Sequence, residues 1–318
     1  MTPRDPYTRA APRRPPARAT GSGITLLEVT MIARPGSALV STLGALVIGA
    51  ASLAAMEAPL PRHPAPSPDG STVLFVWQGD LWTVDARGGE ARRLTAHPAY
   101  ESSPHWSRDG RMIAFASARH GSDDIFVMPA DGGEPPRRLT FASDDERPVG
   151  FTAEGDAVLF LARRGEAFSR MAGIYRVPLE GGTPILDDEV VARRVALGPD
   201  GDSRVVVRGG TRWSRRGYRG AADRDLWLRT GAGPYRRLTD FEGDDDCPTW
   251  LDGERIVFLS SRSGRKNLFL MELRGGGTEP LTFHEGSDVR FPRAAADGSL
   301  VAYELEDRIW TVVPGGDG

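Results

Sequence analysis

The chain of 318 residues contains a single cysteine, Cys247, so it closes no intrachain disulfide and offers no thiolate cluster for a metal. Lysine is equally scarce: Lys266 is the only one, and the other cationic side chains are arginines, a skew that reads as codon composition rather than a binding task. The formal net charge of −3 supplies no positive excess for holding nucleic acid. No G-x-S-x-G nucleophile elbow and no H-E-x-x-H zinc helix occurs, and the five histidines (His63, His97, His105, His120 and His284) are scattered along the chain. The residues therefore point to no catalytic group, no metal site and no cofactor. What is abundant is glycine, 38 residues, and proline, 25, which suits many turns between short strands and would damage long helices.

Residues 1–58 read as a disordered leader and signal peptide. Arg4, Arg9, Arg13, Arg14 and Arg18 lie in a Pro-rich stretch, and residues 38–55 form an apolar, Ala- and Gly-rich run preceded by Arg34. Met31 would make a more conventional start for such a signal. The run is also near the length of one bilayer span, so two readings stand: a cleaved leader with an exported, periplasmic product, or an uncleaved N-terminal membrane anchor. No other membrane contact is expected.

Residues 59–318 carry an internal repeat. An acid followed by glycine recurs at Asp69-Gly70, Asp109-Gly110, Glu154-Gly155, Asp200-Gly201, Asp252-Gly253 and Asp297-Gly298, at spacings of 40, 45, 46, 52 and 45 residues. Such pairs suit tight hairpins in which both positions take positive φ. A β-branched run follows each, then an aliphatic–aromatic pair: Leu81-Trp82, Ile125-Phe126, Ile174-Tyr175, Leu226-Trp227, Leu268-Phe269 and Ile309-Trp310. A Gly-rich turn and a closing strand of the type Arg93-Leu94-Thr95 complete most units, and Pro104-His105-Trp106 and Pro248-Thr249-Trp250 mark a further strand before the turn. Four strands per 40–50 residues, six times over, predict an all-β, six-bladed β-propeller of four-stranded antiparallel blades, at about 60–97, 98–142, 143–188, 189–241, 242–284 and 285–318. One aromatic per blade is the demand of packing between blades rather than a ligand box. The last unit stops at Gly318 without a closing strand, which predicts either pairing by residues near Leu60 or a chain that continues.

Strand order places the connections between blades on one face of the disc. Three acidic runs fall there: Asp144-Asp145-Glu146, Asp187-Asp188-Glu189 and Asp244-Asp245-Asp246. The long loop of the fourth unit, residues 209–224, should share that face and carries Arg212, Trp213, Arg215, Arg216, Tyr218 and Arg219. Together these residues form a candidate surface for peptide or a neighbouring domain, through Arg–carboxylate pairs and aromatic contact; the bland alternative is a solvated rim of weak ion pairs. Exposed acids without a coordinating loop would hold calcium only weakly.

Longer stretches resemble one family. They include residues 79–84, GDLWTV, and 102–115, SSPHWSRDGRMIAF; residues 133–140, GEPPRRLT; Tyr218-Arg219-Gly220 with Asp225-Leu226-Trp227; and Cys247-Pro248-Thr249-Trp250 with Phe258-Leu259-Ser260-Ser261-Arg262 and Asn267-Leu268-Phe269. In this order, from about Pro61 onward, they look like the N-terminal six-bladed propeller of the tricorn protease family. That resemblance implies a self-assembling serine peptidase acting on oligopeptides, with a second propeller, a PDZ-like module and the catalytic residues further along the chain. It also implies a propeller that gates or scaffolds the hydrolysis, with oligopeptides, neighbouring domains or further copies as partners. Single blade motifs are shared with the periplasmic propeller of the Tol system, so a free-standing protein-binding propeller is the alternative. A prolyl-oligopeptidase-type propeller is a third option, against which the fourth-blade insertion argues.

Overall fold

Each acid–Gly turn joins the first two strands of a sheet. In the first, the Gly70 amide donates to the Ser67 carbonyl while the Asp69 carboxylate accepts from the Ser67 hydroxyl and the Ser71 amide. Only the glycine takes positive φ (67° at Gly70, 72° at Gly110), so the acid acts through its side chain and not through a left-handed backbone. This corrects the expected turn, in which both residues were to be left-handed. Gly253 departs from the set: there the Asp252 carboxylate receives the amides of Glu254 and Arg255.

The computed structural model describes residues 24–26, 29–30, 60–164, 172–190, 192–211, 215 and 218–315. These residues form a six-bladed, all-β propeller without helices. Blade 1 comprises Arg62–Pro66, Thr72–Trp77, Asp80–Asp85 and Arg92–Arg93, paired antiparallel in chain order. Blades 2 to 5 repeat this order, with inner strands Glu101–Trp106, Arg147–Phe151, Arg194–Leu197 and Asp245–Trp250. Blade 6 supplies three strands of its own, Arg290–Ala294, Val301–Leu305 and Arg308–Val312. Its open edge is paired antiparallel by Ile24–Leu26, with Ile24 opposite Val312. Three residues of the stretch read as leader thus lie in the last blade's sheet, in the place where residues near Leu60 had been considered. The apolar run 38–55 lies outside the described residues.

Six apolar clusters hold the ring, each between two neighbouring blades. Leu74, Val76, Phe115 and Phe126 join blades 1 and 2, and Val73, Phe75, Ala302 and Ile309 join blades 1 and 6, so the circle closes by packing. Burying a side chain of this size is worth about 1.5–3 kcal/mol, which explains why every unit repeats the same apolar and aromatic positions. Trp106 and Trp250 add a hydrogen bond across the gap, from Nε1 to the carbonyls of Ala65 and Ala196.

The Arg-Leu-Thr strands act as polar latches. The Thr95 hydroxyl receives the Leu81 amide at 2.9 Å and donates to Glu101 at the head of the next blade. Thr140 likewise joins the Ile125 amide to Glu146, and Thr239 joins the Leu226 amide to Asp245. The arginine of each strand pairs with the acid before the aliphatic–aromatic pair: Arg93 with Asp80, Arg138 with Asp124 and Arg237 with Asp225.

Candidate functional site

The inner strands share a motif that packing alone does not require. A residue followed by proline stands near the head of five of them: His63-Pro64, Ser103-Pro104, Arg147-Pro148, Cys247-Pro248 and Phe291-Pro292. Proline has no amide to donate, so the ladder cannot continue through it. The pairing register breaks around it, between Arg62 and Ala65, Ser102 and His105, Asp246 and Thr249, and Arg290 and Arg293. His63, Ser103, Cys247 and Phe291 adopt φ of 52°, 52°, 49° and 44° at these bulges. Bulges re-aim side chains. Here they line a central channel of about 610 Å³ with His63, Ser103, Arg147, Cys247 and Phe291, joined by Arg194 from blade 4, whose inner strand lacks the proline.

The wall is cationic. Arg147, Arg193, Arg194 and Arg293 all face the cavity. Arg194 pairs with Asp246 at 3.3 Å and lies 5.0 Å from the Phe291 ring. Burial pulls Arg293 down to about 10, aided by the charge of Arg194. Arg147 is lowered by the same two causes. His63 falls to about 4 through burial and then the charges of Arg147, Arg194, Arg293 and Arg62. His105 is also held neutral, by burial and by Arg293, whose Nη1 donates to its Nδ1 at 2.8 Å; the His105 ring bonds the Pro148 carbonyl as well.

Four groups that resemble a nucleophile or base are occupied otherwise. Burial raises the Cys247 thiol to about 12, so it is not the thiolate that chemistry would need. His105 faces Arg293, His284 faces the Tyr303 hydroxyl at 3.0 Å, and the His97 ring accepts the Ala99 amide. Among the described residues no serine hydroxyl meets a histidine ring.

The surface expected from sequence is built differently from a ring of open acids. Asp144 and Asp145 are exposed, Asp145 accepting the Asp123 amide at 3.0 Å. Glu146 is buried against Arg164 Nε at 2.7 Å and Thr140. Asp244 meets Lys266 at 3.5 Å, Asp245 meets Arg262 at 2.9 Å, and Asp246 joins Arg194 to Arg224; all three are buried. Asp187 and Asp188 pair with Arg204, and Asp188 also with Arg229 and Tyr235. These runs hold blades together because the latch threonines and the arginines beside them need acceptors away from water.

The fourth-blade insertion is anchored at its base. Gly209 has φ of 131°, and a β-carbon there would stand 2.1 Å from the Asp223 carbonyl oxygen, so only glycine fits. The Thr211 amide donates to Ala222 at 2.8 Å, and Arg224 binds both the Thr211 carbonyl and Asp246. Through Asp246 the insertion is thereby tied to Arg194 in the channel wall. Arg215 stacks on Tyr218 at 4.3 Å and Arg219 is exposed, whereas Arg212, Trp213 and Arg216 lie outside the described residues. The bulged X-Pro wall was not read from the sequence, although an X-Pro pair in five of the six inner strands was its visible signal.

Six radial sheets around an arginine-lined central cavity, with buried acids spent on latches, define the chain as a β-propeller. The profile described as "Tricorn protease N-terminal beta propeller domain" matches residues 59–317, and the chain belongs to this family. It is 33% identical over 260 residues to tricorn protease homolog 1 of Streptomyces coelicolor, covering 78% of this chain and 23% of that one. With the tricorn protease of Thermoplasma acidophilum it shares 24% over 264 residues, covering 78% and 24%. Among solved structures it matches the crystal structure of the tricorn protease with a TM-score of 0.70 at 23% identity, covering 80% of this chain and 25% of that one. It also matches a putative TolB from Agrobacterium tumefaciens, with a TM-score of 0.59 at 19% identity over 80% and 90% of the two chains, a likeness of fold. The chain spans about a quarter of the length of its tricorn relatives.

Proposed function

We propose that this propeller is the non-catalytic, peptide-handling portion of an exported tricorn-like serine peptidase, admitting or releasing oligopeptides beside catalytic domains elsewhere in a longer chain. The observation that carries the reading is the bulge-lined central cavity of about 610 Å³, walled by all six inner strands. Family membership supports the peptidase context, and the apolar run 38–55 after Arg34 supports export. The Arg215–Tyr218 insertion, tied to the channel through Asp246, serves as a contact for peptide or a neighbouring domain.

The test is to narrow the passage. In a chain carrying the peptidase domains, Ser103→Trp should slow turnover of oligopeptides several-fold while leaving a small chromogenic substrate unaffected. Equal rates on both substrates would remove the gating role. Truncating Trp213 and Tyr218 together should weaken assembly or peptide turnover, and no change in either would remove the contact role of the insertion.

A further inference from the structure

Between consecutive blades the chain itself crosses the seam, as where Arg93 leads through Thr95 to Glu101 at the head of blade 2. The seam between blades 6 and 1 has no such connection. It is held by the cluster of Val73, Phe75, Ala302 and Ile309, by Arg62 on Glu304 at 2.9 Å, and by the Asp297 amide on the Pro68 carbonyl at 3.0 Å. A second element bridges it from outside. Ile24, Thr25 and Leu26 stand opposite Val312, Thr311 and Trp310 in antiparallel register, while Val29 and Thr30 pair in parallel with Gly89 and Glu90 of blade 1. Residues 24–30 therefore bond to the last blade and to the first, across the seam that no connection between blades crosses.

A strand at a sheet edge presents a row of N–H and C=O groups that templates a further strand. Arg308–Val312 is such an edge, and Ile309, Thr311 and Val312 are already buried, so an added strand gains main-chain bonds to a neighbour fixed by its own packing. Among the described residues no other strand lies on its outer side. The segment Ile24-Thr25-Leu26, followed by Val29-Thr30, is rich in the β-branched residues that suit such pairing. We propose that the outer edge of blade 6 and the turn at Gly89 form a strand-acceptor site, and that segment 24–30 is its ligand, a separable clasp that closes the ring and belongs to the propeller rather than to a leader. Covalent attachment through residues 31–59 holds the clasp at a high local concentration, so a few hydrogen bonds suffice. A cut beyond the apolar run 38–55 would leave it as a separate peptide held by those bonds alone, and a chain begun at Met31 would lack it. The clasp lies on the outer edge of the sheet, away from the channel, and stands whether or not the channel handles peptides.

The experiment compares the 318-residue chain with Thr25→Pro/Leu26→Pro in the same chain. Successive amides of a strand point to opposite sides, so the double change removes a donor whichever of the two faces blade 6. Hydrogen exchange at the outward amides of Arg308–Val312 should quicken by about tenfold or more in the variant, while the inner strand Arg290–Ala294 keeps its rate. A fluorescent peptide of residues 20–32, followed by anisotropy, should bind the variant about tenfold more tightly than the unaltered chain, whose site is filled. A scrambled peptide should bind neither. Should the variant misfold by circular dichroism, the milder Thr25→Gly/Leu26→Gly should still quicken the exchange several-fold. Unchanged exchange at Arg308–Val312 would overturn the clasp. Equal binding of the peptide to both chains, or equal binding of its scrambled form, would overturn the acceptor site. A dimer of the unaltered chain that the variant lacks would overturn the clasp within one chain in favour of exchange between two copies.

Discussion

The arginines paired within the blades and the arginines of the channel differ in what surrounds them. Arg138, Arg164 and Arg262 each reach a carboxylate that is itself almost wholly buried, with exposures of 0%, 1% and 0% for Asp124, Glu146 and Asp245. Arg147 and Arg293 meet a cavity instead, and Arg293 must use a neutral histidine as its acceptor. The first set is spent on cohesion, while the second lies along the cavity, where Arg147 is exposed and feels the charges of Asp123 and Asp145 without an ion-pair contact among the described residues. A propeller of this kind separates its two tasks radially, with stability built between the sheets and recognition carried on the innermost strand.

The separation is broken most forcefully from the apolar side. Phe258→Ala empties a fully buried position between blades 4 and 5 and should cost about 3–5 kcal/mol, read as a lower denaturant midpoint. An unchanged midpoint would show that the repeated apolar positions are not what holds the ring. Asp245→Ala comes next. It leaves Arg262 and Thr239 without their buried acceptor and should cost about 3 kcal/mol, because breaking a buried pair from one side strands the partner. A loss below about 0.5 kcal/mol, the range of ordinary surface changes, would return the acid to the solvated rim first considered for it.

The pH dependence sharpens the same contrast. His63 is lowered in the folded chain to about 4 from an ordinary value of 6.5, so the unfolded chain binds more protons between those values. Its contribution is complete above pH 6.5 and is lost as the pH falls toward 4. Buried carboxylates such as Glu101, Asp245 and Glu304 are raised by burial and act in the opposite sense, so the informative quantity is a difference. Thermal melts of the chain and of His63→Gln should diverge between pH 6.5 and 4, the variant falling less. Parallel curves would mean that the ring is not held neutral by burial and the channel cations.

The fold was legible because its signals are local and repeated. Asp-Gly turns, apolar runs and aromatic pairs each depend on a few neighbouring residues, and six repetitions multiply a weak pattern. The acidic runs misled for a related reason: Asp245 looks like a loop acid in the sequence, and only the approach of Thr239 and Arg262 from adjoining strands makes it a latch. The channel was the least legible part. His63, Arg147, Arg194 and Arg293 come from four blades and span more than two hundred residues, so no single stretch shows that they share a wall. The X-Pro pairs were in view, but their effect depends on the partner strand against which the bulge forms.

The most direct measurement is equilibrium unfolding of Arg147→Gln/Arg293→Met beside the unaltered chain. If these cations are kept for a ligand at some cost to the fold, removing them should leave the denaturant midpoint unchanged or raise it. A fall comparable to that of Asp245→Ala would contradict the account and make the channel arginines structural like the rest.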